Sequence, residues 1–318
     1  MYVCMYVCVC ICNTHARTHT HTHMHAYTAQ GRDPRDDGEA IKLLRGGIEM
    51  ADRVVTVAPS YKDEMMSYEG GFGLHDTARG RAYHLDGILN GIDINEWNPL
   101  TDHRIAPNFY DADDMGNKTL CKQAIQRELG LHERPDTPLI AFIGRLAPQK
   151  GVDLIEQVFG WLMNGDEHGV TGDVQLIMMG QGEGRYADFL INAERHNKGR
   201  VVGYVGFSPD MEHKIIAGAD ILLMPSRYEP CGLPQMYAQR YGTVPVVHAV
   251  GGLKDSVVQY DPFADAIEVE EPDSEVARGA GGTGGAEAAL PEREVSSEEP
   301  LFIDEKVPSC LFLRVLCA

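Results

Sequence analysis

The sequence predicts an α/β protein built around a parallel β-sheet, and three observations support this fold class. Short apolar runs alternate with helical segments from about residue 138 to residue 250. Runs such as "PLIAFIG" and "DVQLIMMG" are apolar without interruption, as strands buried on both faces of a sheet are. Each run ends in Gly, Pro or polar residues before the next helix begins. Five strands that alternate with helices predict a parallel sheet with helices on both faces.

The N-terminal part of the chain contains few predicted elements. A helix is expected in "EAIKLLRGGIEM", a strand at Arg53–Val57, a second helix from about Ser60 and a short strand at residues 87–89. The stretch "TDHRIAPNFYDADDMGNK" is rich in Pro, Asn and Asp and is expected to be a linker. It leads into the amphipathic helix "CKQAIQRELGL", which Gly130 ends.

The C-terminal part supplies the five strands of the sheet. They are predicted, in order, in "PLIAFIG", "DVQLIMMG", "RVVGYVGF", "DILLMP" and "VPVVHAV". The helices between them are predicted in "GVDLIEQVFGWLM", "GRYADFLINAERH", "DMEHKIIAGA" and residues 235–241. Ligands of such sheets bind at the carboxyl ends of the strands, so the residues that follow each strand carry the functional information.

Composition argues against two classes of partner. The chain has 318 residues, of which 43% are hydrophobic and 24% are charged, as is ordinary for a globular protein. Its formal net charge of −19 argues against binding to nucleic acid or to an anionic membrane. No apolar stretch reaches the roughly 18 residues that are needed to span a bilayer. We therefore expect neither nucleic acid nor a membrane as a partner.

The two ends of the sequence differ from its middle. Residues 1–35 contain "VCMYVCVCIC" and "THARTHTHTHMH", whose thiols and imidazoles could bind a metal ion. Repeated GT and AC dinucleotides in DNA also encode alternating Val-Cys and Thr-His, and we prefer this origin, with no fold and no metal site. Residues 263–318 are acidic, Gly-rich and poor in large apolar residues, so they are expected to be disordered. The spacing of the eight Cys residues does not indicate a disulfide framework.

Charged and aromatic residues follow the predicted strands. Arg145 and Lys150 lie on the loop after the first strand, Phe207 follows the third strand, and Glu229 follows the fourth. Gly-rich turns follow the second and fifth strands. The cations suit a diphosphate, the aromatic ring suits a flat base, and the carboxylate suits sugar hydroxyls. Their joint placement predicts a nucleotide-sugar site, although Glu229 taken alone would equally suit an acid at a helix start.

Several stretches resemble the starch synthases, which are relatives of the bacterial glycogen synthases. They are "GRLAPQKGVDLI", "MPSRYEPCGLPQMYAQRYGTVPVVHAVGGLKDSV" and "LNGIDINEWNP", while "IKLLRGGIEMADRVVTVAP" and "YEGGFGLH" resemble the soluble plastid enzymes most. The resemblance covers about residues 40–262. It implies a GT-B glycosyltransferase, in which two Rossmann-like domains enclose the active site.

The resemblance also implies an activity. Starch synthases transfer glucose from ADP-glucose to the non-reducing end of an α-1,4-glucan, such as starch or malto-oligosaccharides, with retention of anomeric configuration. They need no metal and no cofactor, and they are located in the plastid, either chloroplast or amyloplast.

Individual residues receive roles from the resemblance. Glu229 would position the donor glucose through its hydroxyls, while Arg145 and Lys150 would neutralise the leaving diphosphate, and these three are the expected catalytic residues. The expected donor-binding residues are Gly144, Phe207, Cys231, Gly232, Leu233, Gly251 and Gly252. Among them, Phe207 would stack near the adenine and the N–H groups of residues 231–233 would face the donor. The Gly pair at 251–252 would let the last loop approach the donor.

Two departures from the wider GT-B pattern affect the interpretation. Tyr237 stands eight residues after Glu229, where many GT-B enzymes carry a second Glu, as is usual in the starch and glycogen synthase branch. The Lys-X-Gly-Gly donor loop and the His-bearing segment of the family are not found in the sequence. We therefore divide the chain into residues 1–35, a remnant of the acceptor-side N-terminal domain at 36–105, the nucleotide-sugar-binding domain at 106–262, and residues 263–318.

Three functions stay open at this point. The first is a starch synthase, the second is a non-catalytic module that binds the nucleotide sugar or the glucan, and the third is a GT-B transferase with another donor such as UDP-glucose. Because the first domain is mostly missing, we expect no measurable glucan elongation from the chain as written. The strand of that domain is expected to expose Val54, Val55 and Val57.

Overall fold

A computed structural model of the protein describes residues 7–10, 43–165 and 172–261. The predictions for the rest of residues 1–35 and for 263–318 lie outside these ranges. The elements given below all belong to one compact unit that ends at Val258. No helix within the described ranges is long and apolar enough to cross a membrane. In the same ranges, no group of three or more His, Cys, Asp or Glu side chains is arranged to hold a metal ion.

The strands of the described residues form two β-sheets. They are β1 (Val7–Cys10), β2 (Arg53–Val57), β3 (Leu85–Ile88), β4 (Leu139–Ile143), β5 (Gln175–Gly180), β6 (Val201–Val205), β7 (Ile221–Met224) and β8 (Val244–Val247). The first sheet has the order β1-β2-β3, and the second has the order β6-β5-β4-β7-β8. All neighbouring strands of the second sheet are parallel.

Helices alternate with these strands along the chain. They are α1 (Leu43–Met50), α2 (Pro59–Met65), α3 (His75–Gly80), α4 (Gly116–Glu128), α5 (Val152–Asn164), α6 (Gly184–His196), α7 (Pro209–Gly218), α8 (Pro234–Arg240) and α9 (Gly251–Ser256). Among the described packing contacts, α4 lies against α7, α6 lies against β6, and α2 lies against α9.

The five-stranded sheet holds the main core. Every residue of β4 and β5 is buried, in keeping with their uninterrupted apolar runs. The buried residues around these strands join side chains of α4, α7 and α8 in one cluster. The predicted α/β class, with five parallel strands and intervening helices, is confirmed.

The N-terminal sheet differs from expectation at two points. Val7–Cys10 forms β1 and pairs antiparallel with β2, whereas the sequence predicts no fold for residues 1–35. Alternation of β-branched Val with small Cys is compatible with a strand. Val54 is fully buried rather than exposed, because it packs in a small core beneath α1 and α3. Val55 and Val57 are half-buried.

Trp97, just before the predicted linker, and Asp102, within it, both pack against helices of the second sheet. Trp97 lies between His213 and Tyr237, with ring centroids 3.7 and 3.6 Å away and nearly parallel planes. Oδ2 of Asp102 lies 2.7 Å from Nδ1 of His213 and accepts a hydrogen bond from the Tyr241 hydroxyl at 2.8 Å. Burial alone would raise the pKa of Asp102, but hydrogen bonds from His213, a backbone N–H and Tyr241 hold this pKa below its usual value. The segment is therefore a fixed part of the fold and not a free linker.

Candidate functional site

The strand order places two loops side by side at the carboxyl end of the second sheet. From β4 the chain continues to β5 and β6 on one side, whereas β7 and β8 lie on the other side. The loops after β4 and β7 therefore leave neighbouring strands in opposite directions, which opens a crevice between them. Arg145 and Lys150 follow β4, and Glu229 follows β7. The predicted catalytic residues thus lie at the topological switch point of the sheet.

Lys150 and Glu229 meet in this crevice. Nζ of Lys150 donates a hydrogen bond to Oε2 of Glu229, and the hydroxyl of Ser226 donates to the same oxygen at 3.2 Å. The Glu229 side chain is 9% exposed and the Lys150 side chain is 19% exposed. Charges act on one another more strongly in such a water-poor site than in bulk solvent. An ammonium group and a carboxylate are therefore both within reach of one bound molecule.

Close backbone packing and an ion pair fix the two loops to each other. Gly151 has a φ of +72°, and a Cβ there would lie 2.2 Å from the carbonyl oxygen of Pro225, so a larger residue does not fit. The Arg227 guanidinium donates to both carboxylate oxygens of Asp153, at 2.7 and 2.6 Å, and holds the pKa of Asp153 below its usual value. The Arg227 N–H donates to the carbonyl oxygen of Gln149 at 2.8 Å. The loop after β4 is thereby held against the loop after β7.

Arg145 lies at the exposed rim of the crevice. Its guanidinium donates to the side-chain oxygen of Gln149, and the Gln149 amide donates to the Tyr228 carbonyl oxygen at 3.1 Å. Gly144 comes directly after β4, and a Cβ added there would lie 3.8 Å from the Lys150 side chain. Arg145 is therefore oriented by the same two loops that carry Lys150 and the Glu229 turn.

The start of α9 packs tightly on the Glu229 turn. The Gly252 N–H donates to the Glu229 carbonyl oxygen at 2.9 Å. A Cβ at Gly251 would lie 2.2 Å from that oxygen, and a Cβ at Gly252 would lie 2.0 Å from the Cys231 carbonyl oxygen. Gly251 also has a φ of +47°, which L side chains rarely adopt. Both glycines are therefore required by the approach of two backbone segments within the protein.

The turn between β7 and α8 carries three further predicted residues, Cys231, Gly232 and Leu233. Gly232 has a φ of +66°, and its carbonyl oxygen accepts a hydrogen bond from the Gln235 side chain at 2.7 Å. Leu233 immediately precedes α8. Burial raises the pKa of the Cys231 thiol, and Nδ2 of Asn90 lies 3.1 Å from its sulfur. Because Asn90 follows β3, both sheets contribute residues to the surroundings of this turn.

Phe207 lies apart from these loops. It follows β6, the edge strand of the sheet, and the residue is 55% exposed. Strand β5 separates β6 from β4, and two strand spacings amount to about 10 Å. The structure thus clusters the predicted residues on the loops after β4, β7 and β8, with Phe207 at the side of that cluster. The roles assigned to these residues stay predictions.

Comparison with known proteins decides the family. Residues 124–278 match the family "Glycosyl transferases group 1", and residues 8–80 match the family "Starch synthase catalytic domain". Soluble starch synthase 1, chloroplastic/amyloplastic, from Solanum tuberosum is 49% identical over 229 residues, which are 72% of this chain and 34% of that protein. Starch synthase 1, chloroplastic/amyloplastic, from Arabidopsis thaliana is 47% identical over 230 residues, again 72% of this chain and 34% of that protein. The chain belongs to the starch synthase family.

A solved starch synthase structure shows the same fold. The catalytic domain of Starch Synthase IV from Arabidopsis thaliana, bound to ADP and acarbose, superimposes with a TM-score of 0.65 and 33% sequence identity. The superposition covers 72% of this chain and 46% of that structure. The predicted GT-B fold is thereby confirmed over the matched part. The chain spans about a third of the length of the two starch synthases compared above.

The sequence did not single out some residues that shape this candidate site. Three of them, Ser226, Arg227 and Asp153, lie inside the motifs quoted above. The ion pair between Arg227 and Asp153 joins segments that are 74 residues apart along the chain, and Ser226 donates to Glu229 within the same turn. Glu64 and Asp255, described below, also join distant segments. The one local signal was Gly151 directly after Lys150, since a Gly at the end of a loop often marks a close backbone approach.

Proposed function

We propose that this protein is a starch synthase of the plastid, either chloroplast or amyloplast. In this proposal it transfers glucose from ADP-glucose to the non-reducing end of an α-1,4-glucan and retains the anomeric configuration. Membership of the family supports the reaction, and the ADP and acarbose in the related structure support a nucleotide and a glucan-like ligand. The Lys150–Glu229 pair at the switch point of the sheet is the observation in this chain that carries the proposal.

The pair suggests how the donor is held. Glu229 would accept hydrogen bonds from the glucose hydroxyls. On donor binding, Lys150 would turn from Glu229 to the diphosphate, where it would stabilise the negative charge that then grows on the leaving group. A preorganised cation at the leaving group is worth on the order of 10²–10³ in kcat. Arg145, at the rim, would contact the same diphosphate from the solvent side.

The remaining predicted residues would complete the donor site. N–H groups of residues 231–233 would face the sugar, Gly144 would leave room beside Lys150, and the start of α9 would lie close to the donor. Phe207, about two strands away from β4, would contact the adenine. With two cations at the diphosphate, we propose that the transfer uses neither a metal ion nor an organic cofactor.

A division of labour between the two sheets belongs to the same proposal. Residues 36–105 would form the acceptor side, where the glucan binds, and residues 106–262 would bind the nucleotide sugar. Trp97 and Ile105 pack in the core of the second sheet, so this core already begins before residue 106. The polar and aromatic contacts between the two parts would keep donor and acceptor in one orientation, which lowers the entropic cost of transfer.

Calorimetry on the whole chain tests the donor. We expect ADP-glucose to bind more tightly than UDP-glucose, and Lys150→Ala to weaken the binding of both. Lys198→Ala, at an exposed position after α6, is the matched control and is expected to bind like the unmodified chain. Equal affinity for the two donors would contradict the ADP-glucose assignment, and no binding of either donor would contradict the proposed function.

Turnover is measured with labelled ADP-glucose and a malto-oligosaccharide. Incorporation of label into longer glucans would establish the transferase in this chain and would contradict our expectation that it does not elongate glucan. The anomeric configuration of the new bond reports retention. Donor binding without any incorporation would favour the alternative of a non-catalytic nucleotide-sugar-binding module.

A further inference from the structure

Two short helices that pack against each other, α2 and α9, begin without a cap of their own. Helix α2 begins after Ala58 and α9 begins after Val250, and neither preceding side chain can accept a hydrogen bond. The first N–H groups of a helix have no partner within the helix and are normally satisfied by a side chain just before it. Ala58 also has a φ of +64°, which is uncommon for a residue other than Gly.

Each of these helices is capped by an acid of the other. The carboxylate of Asp255 in α9 accepts hydrogen bonds from the N–H and the hydroxyl of Ser60 in α2, at 2.7 and 2.5 Å. The carboxylate of Glu64 in α2 accepts one from the N–H of Gly251 in α9 at 2.7 Å. We call this arrangement of four residues the reciprocal cap. It joins positions that are 195 and 187 residues apart.

The reciprocal cap is connected to the Glu229 turn through two adjacent residues, Gly251 and Gly252. Gly251 carries the N–H that Glu64 binds, and Gly252 carries the N–H that binds the Glu229 carbonyl oxygen. Neither Gly leaves room for a shift towards the turn, because a Cβ at either position would collide with its carbonyl oxygens. A displacement of Gly251 would therefore move the backbone that carries the Glu229 side chain.

We propose that Glu64 is a positioning residue for the donor sugar, and that it acts through Gly251 and Gly252 on Glu229. This inference rests on the proposed function and goes beyond it, since it assigns a donor-site role to a residue of the acceptor-side part. Glu64 does not touch the donor in this scheme. Its carboxylate fixes the start of α9, and α9 in turn fixes the backbone of Glu229, whose side chain binds the glucose hydroxyls.

The first test measures the contact itself by amide hydrogen exchange on the whole chain. In Glu64→Ala, the Gly251 amide should exchange at least about tenfold faster, because its hydrogen bond to the carboxylate is lost. The Gly252 amide should also exchange faster, because the start of α9 is no longer fixed against the Glu229 carbonyl oxygen. Glu64→Gln keeps an acceptor at the same place and should restore most of the protection. Asp63→Ala, at the exposed neighbouring position of α2, is the matched control and should leave both amides unchanged.

The second test separates positioning from general stability. The readout is the ratio of the dissociation constant of ADP to that of ADP-glucose, which reports the contribution of the glucose alone. Loss of Glu64 should lower this ratio by about tenfold while the affinity for ADP changes little, since one charge-assisted hydrogen bond orients the sugar-binding residue. If Glu64 had a purely structural role, its loss would weaken the affinities for ADP and ADP-glucose by the same factor or leave both affinities unchanged. Urea unfolding of each variant shows that it is folded at the temperature of measurement.

The outcomes separate this inference from the proposed function. An unchanged ratio in Glu64→Ala, with ADP-glucose still bound more tightly than ADP by the unmodified chain, would overturn the positioning role alone. An increased ratio would also overturn it, because Glu64 would then compete with the donor. If the unmodified chain binds no ADP-glucose, this result contradicts both the proposed function and the positioning role. A lowered ratio with rescue by Glu64→Gln would establish the role.

Discussion

Nζ of Lys150 donates a hydrogen bond to Oε2 of Glu229 across the boundary between β4 and β7. These two residues have separate roles in the proposed reaction, one at the diphosphate and the other at the sugar. Each satisfies the other's charge in the structure. In the proposed reaction the diphosphate and the sugar hydroxyls would take over these contacts, so neither charge would be left unpaired.

The ion pair should contribute to stability in the absence of ligand. Lys150 and the Ser226 hydroxyl both donate to the largely buried Glu229 carboxylate. In Lys150→Met, only the Ser226 hydroxyl of these two donors remains. We expect the free energy of unfolding to fall by about 1.5–3 kcal/mol, since hydrogen bonds to charged groups are worth this much. Urea unfolding at neutral pH measures the change.

Two further variants test whether the effect belongs to the pair. Lys150→Met combined with Glu229→Gln should cost less than the sum of the single changes, because the unpaired charge is gone. Arg145→Met, on the same loop but exposed, should change the free energy of unfolding by no more than about 0.5 kcal/mol. Strict additivity of the two single changes would show that the contact contributes nothing.

Substitution of Gly251 or Gly252 by Ala should disrupt the Glu229 turn. A Cβ would lie 2.2 Å from the Glu229 carbonyl oxygen in the first variant and 2.0 Å from the Cys231 carbonyl oxygen in the second, so the backbone must move. We expect a loss of at least about 2 kcal/mol in the free energy of unfolding, together with weaker ADP-glucose binding. Thermal unfolding and calorimetry measure the two effects.

Gly160 provides the matched control for these glycine variants. It lies on the exposed face of α5, and a Cβ there would meet nothing within 4 Å. Gly160→Ala should therefore stabilise the protein by about 0.5–1 kcal/mol, because Ala is the better helix former. Equal behaviour of the three variants would contradict the packing argument.

The sequence predicted the helices and strands better than it predicted which of them lie side by side. β4 and β5 were recognisable because strands buried on both faces are apolar throughout, and α6 was predicted with the observed bounds, Gly184–His196. The sequence also placed Lys150 and Glu229 at the same edge of the sheet, because both follow strands. It could not make them partners, since that depends on β7 lying beside β4, and no local pattern encodes the order of the strands.

Contacts over long sequence separations account for what was missed. Asp102 and His213 are 111 residues apart along the chain. In the sequence, each by itself suggests an exposed polar residue. The contacts of Asp102 with His213 and Tyr241 make the predicted linker a fixed segment, and Trp97, which packs on Tyr237, holds the residues just before it. In the N-terminal part, β1 was missed because its residues lie in a repetitive stretch, and Val54 was expected to be exposed because the small core beneath α1 and α3 was not foreseen.

Two buried tyrosines should respond differently to loss of their hydroxyls. The Tyr61 hydroxyl is buried and has no hydrogen-bond partner among the described residues, and burial raises its pKa to about 12. Tyr61→Phe should therefore change the free energy of unfolding by less than about 0.5 kcal/mol or increase it, because a buried polar group without a partner is costly. Tyr241→Phe removes the hydrogen bond to Asp102 and should cost about 1–3 kcal/mol. Equal losses in urea unfolding would contradict this distinction.

Lys118 should make stability depend on pH above neutrality. Removal of its ammonium group from water lowers the pKa of Lys118 from 10.5 to about 7, and neighbouring Asp220 only partly opposes this shift. Between these two pH values the unfolded chain binds a proton that the folded chain does not bind. The contribution of Lys118 to the free energy of unfolding therefore rises with pH in this window, by at most about 1.4 kcal/mol per pH unit. Below pH 7 both states are protonated and the contribution is constant at its least favourable value.

Urea unfolding from pH 6 to pH 10 of matched variants isolates this contribution from that of other titrating groups, such as Cys121, whose pKa burial raises to about 11. Lys118→Met keeps the apolar stem and removes the titrating group, although it also removes hydrogen bonds to the Ala217 carbonyl oxygen and to Thr243. The difference between the unmodified chain and this variant should therefore grow in favour of the unmodified chain as the pH rises above 7. Lys198→Met, at an exposed position, should give a difference that stays flat over the same range. A flat difference for Lys118→Met as well would mean that the ammonium group remains charged in the folded protein throughout this range, with Asp220 and the two oxygen acceptors compensating for its burial.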